Sequence, residues 1–94
     1  MLHASLMSGA NWRDEIDRAA KTEAFLREPL VVEAFEKLEA DFIDACKNTA
    51  VADTENRERI FHLLQALNAL RGHFKTVVES GKIAQVNLDN QQRG

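Results

Sequence analysis

Acids and histidines on helical stretches are the residues of this 94-residue chain with spacing closest to a reactive site. Glu58 and His62 share a helix face, and an acidic segment carrying Glu33, Glu36, Glu39, Asp41 and Asp44 lies just upstream. Two helical hairpins that associate into a four-helix bundle can hold a di-iron centre from such groups. That chemistry takes Glu-x-x-His, whereas here three residues separate Glu58 from His62. Glu36 and Glu39 flank an apolar stripe and are expected to face outward. His62 and His73 stand eleven residues apart on one side of a helix, about 16 Å along its axis, too far to share an ion. No metal ligand set and no cofactor follows.

Nucleophilic chemistry fares no better. Cys46 lies at the C-terminal end of a helical stretch, not at the helix N-terminus that favours a catalytic thiolate, so it is read as a small hydrophobe. Serines and threonines lack an adjoining His–Asp arrangement, and no glycine-rich phosphate loop is present. The chain is therefore expected to be no enzyme. Arg57, Arg59, Arg71, Lys75 and Lys82 could form a basic strip for DNA. Acids one helix away offer them partners within the protein, and a net charge of −3 disfavours nucleic acid as the main ligand.

These residues must be positioned by helices. Ile60, Leu63, Leu67, Leu70, Phe74 and Val77 repeat at steps of three and four, the rhythm of a long helix seam. Val31, Phe35, Leu38, Phe42 and Ala45 form a matching seam, and residues 47–54 leave room only for a turn. An all-α fold follows: a long antiparallel hairpin over about 30–47 and 54–80, coiled-coil-like in its pairing. Pro29 disfavours helical geometry at Glu28 and suits a first helical turn, which separates a shorter N-terminal helix over about 12–27. Asn11 and Asp53 or Thr54 are the expected N-caps. Glu33 and Lys37 are spaced to pair at i, i+4.

Gly81 reads as the residue that ends the third helix, with Lys82 at the negative end of its dipole. Gly72, inside that helix, is expected to mark a close helix crossing. Residues 1–10 are expected as a flexible arm, 11–82 as a single helical domain, and 83–94 as a flexible or partner-ordered tail. Two helices of this size cannot close a core. The first helix or another subunit must cover Phe74, Val77 and Val78, and the same argument predicts a homo-oligomer or a larger partner. Phe25, Leu64, Phe74 and Val78 are the candidate interaction face. No apolar run approaches the ~20 residues a bilayer requires, and the start does not read as a signal peptide. The lone cysteine fits a cytoplasmic location.

Three segments in order, Phe25 to Glu39, Asp53 to Arg59 and Leu70 to Ala84, resemble short helical proteins that tailed bacteriophages encode among their virion-assembly genes. The resemblance spans residues 24–84 and rests on a helix break, a cap and a glycine. It brings no catalytic residues. It implies a virion structural or morphogenesis component that binds itself or larger phage structural proteins, in the bacterial host cytoplasm or in the virion. DNA binding in genome packaging or regulation is the rival, and a ferritin-like di-iron hairpin the third reading.

Overall fold

A computed structural model describes residues 9–93, and these form three helices without strands: α1 (Gly9–Arg27), α2 (Pro29–Lys47) and α3 (Thr54–Arg93). The all-α hairpin architecture is the one the two seams require, and the long C-terminal helix packs against both of the others. Glu28 interrupts the first two helices in an extended conformation (φ −61°, ψ 123°), as Pro29 demands of the residue before it. Of the expected flexible arm, residues 1–8 lie outside the described residues, while Gly9 and Ala10 already belong to α1.

The chain divides into two compact units, one built from residues 9–26 and 73–93, the other from Arg27–Gly72. In the first unit α1 runs antiparallel to the C-terminal half of α3. Phe25 meets Phe74 at a ring separation of 5.5 Å and a tilt of 54°. Seven residues further along, Gly81 lies directly against Ala19; a Cβ built on Gly81 would overlap the Ala19 side chain and stand 3.2 Å from the Glu15 carbonyl oxygen. Ala19, Gly81, Ala84 and Leu88 are buried, Ala84 almost completely. The helices approach closely here because three small residues present no bulk between them. This register continues to place Trp12 level with Leu88.

The close approach corrects two expectations. Gly81 does not end the third helix, and residues 83–93 are not a tail without structure: α3 continues to Arg93. A glycine that ends a helix commonly takes left-handed geometry, yet no glycine among the described residues has a positive φ. Its missing side chain serves packing instead. The expected crossing at Gly72 is absent, since a Cβ there would meet nothing within 4 Å.

The second unit is the hairpin of α2 and the first half of α3. Val31, Phe35, Phe42 and Cys46 of α2 are half-buried, as are Ile60 and Leu64 of α3, with Leu67 fully buried between the helices. The expected seam is thus rotated. Leu38, Ala45, Leu63 and Leu70 are exposed, the three leucines at 44–47%. Their inward places go to Glu39, Cys46, Leu64 and Arg71, which are all less exposed than their neighbours.

An arginine in the seam explains the rotation. Arg71 Nη1 donates to Glu39 Oε2 at 3.0 Å, and the guanidinium stacks 5.3 Å from the centre of the Phe35 ring. A long side chain of this kind covers apolar surface with its stem while its planar head satisfies a carboxylate and a ring face together. Glu39 therefore turns toward α3 rather than outward. The expected Glu33–Lys37 pair gives way to Lys37–Asp41 at 3.3 Å on the exposed side of α2.

Candidate interaction surface

The turn between α2 and α3 shows what the polar residues near the helix ends do. Thr49 Oγ1 donates to the Cys46 carbonyl oxygen at 2.8 Å and accepts from Arg57 Nε at 3.0 Å. Arg57 Nη2 donates to the carbonyl oxygens of Ala50 and Val51 at 2.8 and 3.1 Å. A single guanidinium from the first turn of α3 thus binds back over the connection, supplying donors to carbonyls that no helix satisfies. Asp53 Oδ1 accepts from Asn56 N at 3.3 Å, the N-cap geometry expected for that position.

These contacts bear on the basic strip. Arg57 is engaged with the turn, Arg71 with Glu39 and Phe35, and Arg59 lies 3.6 Å from Glu55. Three of the five basic residues therefore have partners within the second unit. Among the described residues, no three His, Cys, Asp or Glu side chains are grouped as metal ligands. Cys46 is half-buried beside Thr54, Arg57, Glu58 and Phe61 in an open depression. His73 borders another, between Glu15, Arg18, Thr76 and Ser80. Among the described residues, no helix is long and apolar enough to cross a membrane.

The four candidate face residues do not share one environment. Phe25, at 47% exposure, packs edge-tilted on the half-buried Phe74 within the first unit. Val78 is also half-buried there, beside Ile16, Ala19 and Lys82. Leu64 belongs to the second unit and is half-buried in phase with Ile60, Leu67 and Arg71 along the hairpin seam.

Sequence reasoning missed a different set. Leu38, Leu63 and Leu70, expected in the seam, lie on the surface instead. The available signal was width: the apolar stripes of both helices span more than the arc one neighbour can cover, so part of each must face away.

Fold and surface together define a class: an all-α protein of paired antiparallel helices whose polar networks brace helix ends and seams. Comparison with family models, curated proteins and solved structures finds no match.

Proposed function

We propose that this chain is a non-enzymatic assembly module that works by laying helical faces against other protein surfaces. Its setting is the structure or morphogenesis of a tailed-phage particle, the role implied by the resemblance of residues 24–84. One observation carries the assembly reading. Among the described residues, four hydrophobic side chains are buried while eleven large ones are exposed, a balance that leaves apolar surface open for a further partner. Polar groups support the same reading by being spent on architecture: Arg57 braces a turn and Arg71 a helix pair.

The rival, duplex DNA binding, makes the opposite prediction. A DNA-binding chain retards duplex at low salt and loses that retardation steeply as salt rises, because phosphate contacts release counterions. The assembly module is expected to leave duplex DNA unretarded at low salt and to associate with protein in light scattering on a sizing column. Salt-sensitive retardation by a strictly monomeric chain overturns the assembly reading.

A further inference from the structure

The hairpin unit has two unlike flanks. With Phe35 pointing at α3, steps of about 100° per residue set Leu38, Ala45 and Ala34 some 60–100° to one side, and Val32, Ile43 and Glu36 equally far to the other. On α3, taking Leu64 and Arg71 as inward, Leu63 and Leu70 turn in the same rotational sense as Leu38, while Phe61 and Asn68 turn in the opposite sense. In an antiparallel pair, equal senses of rotation fall on one side of the hairpin. Leu38, Leu63 and Leu70 therefore share a flank with Ala34 and Ala45, and all five are exposed. The opposite flank mixes Val32, Ile43 and Phe61 with Glu36 and Asn68.

Resting on the assembly reading, we infer that the leucine–alanine flank of residues 27–72 is a homodimer face, covered by the same flank of a second copy around a two-fold axis parallel to the helices. Charge complementarity selects both the occupant and the axis. Toward the outer edges of the flank lie Asp41 on α2 and Arg59 on α3, held in exposed pairs with Lys37 and Glu55. Exposed pairs of this kind contribute little and exchange readily.

Within the hairpin, Arg71 is level with Phe35, and Cys46 is level with Arg57 and Phe61. That register puts Asp41 and Arg59 about 8 Å apart along the axis. A two-fold parallel to the helices keeps axial height and exchanges α2 for α3, so Asp41 faces Arg59 of the partner subunit within side-chain reach. A two-fold across the helices would instead set α2 on α2, so that the edge carrying Asp41 meets the same edge of the other copy and gains no arginine.

The face is continuous along the hairpin. It runs roughly 17 Å along α2 and is two helices wide, an apolar strip that a second copy covers face to face. Its occupation would convert the hairpin into a four-helix bundle in which every neighbour is antiparallel.

Sedimentation equilibrium over a broad concentration series tests the inference, with circular dichroism on each sample. The expected result is a monomer–dimer equilibrium that the double substitution Leu38→Glu, Leu63→Glu weakens by about 100-fold or more, since each change enters the interface twice. Ile43→Glu, on the other flank, is expected to leave the dimer constant unchanged. Asp41→Arg and Arg59→Asp each weaken the dimer by about 5- to 10-fold, and together they restore it. The charge reversals touch no seam residue, so they report on the face even where the leucine variant loses helicity. A monomer at every concentration overturns the inference, and the assembly reading then stands or falls on a larger partner. A dimer indifferent to the leucine substitutions and to the charge reversals overturns the face alone.

Discussion

Gly72 and Gly81 are nine residues apart on one helix and call for opposite responses to the same substitution. An alanine at Gly72 has open space for its Cβ and lowers the entropy of the unfolded chain. Gly72→Ala is expected to stabilise by about 0.5–1 kcal/mol in chemical denaturation followed at 222 nm. At Gly81 the same methyl group collides with Ala19, and backbone of α1 stands behind it at the Glu15 carbonyl. Gly81→Ala is expected to destabilise by about 1–3 kcal/mol, the range for overpacking a tight contact. Equal effects of one sign at both sites would mean that α1 and α3 do not cross at Ala19. Trp12, the only tryptophan, gives an independent optical probe of the same unit.

At the scale of elements, the helix boundaries that rest on local chemistry were legible and those that rest on packing were not. Glu28–Pro29 and Asp53–Thr54 announce a break and a start through backbone restriction and capping, which depend on a few adjacent residues. The end of α3 depends on what lies across from it. Val77, Gly81, Ala84 and Leu88 recur at helical spacing, but two of the four are small, and a search for large apolar residues passes over them. Likewise nothing adjacent to Leu38 or Leu63 says which half of a wide stripe turns inward. Arg71, joined to Glu39 and Phe35 across more than thirty residues of chain, decides it.

Two predictions belong at this scale. Removing residues 83–94 takes away buried Ala84 and Leu88, so helicity should fall by more than the deleted residues contribute, and Trp12 emission should shift to the red. Loss of no more than the deleted share would mean that this part of α3 does not hold α1. Arg57→Lys keeps the charge but cannot reproduce donors to Thr49, Ala50 and Val51 at once. It is expected to cost about 1–2 kcal/mol in thermal or chemical unfolding, and full retention of stability would show that the turn needs no brace.

Across the whole molecule, burial is unevenly distributed between the two units. Ala19, Gly81, Ala84 and Leu88 all belong to the unit of residues 9–26 and 73–93, whereas Leu67 is the one buried residue among those of Arg27–Gly72. No residue of α2 is buried. Local opening free energy follows the apolar surface that an element removes from water, so α2 should open well below the free energy of the first unit. Hydrogen exchange read by mass spectrometry at high dilution is therefore expected to label α2 before residues 9–26 and 73–93. Raising the protein concentration adds a partner to the leucine–alanine flank and stabilises only the form that binds it. Protection of α2 should then rise with concentration, while protection of residues 9–26 stays constant. Exchange that is uniform along the chain and independent of concentration would require the hairpin to be stable with a single buried side chain, against the scaling of core with size. Slow exchange in α2 confined to concentrated samples would instead locate the missing part of its core on another copy.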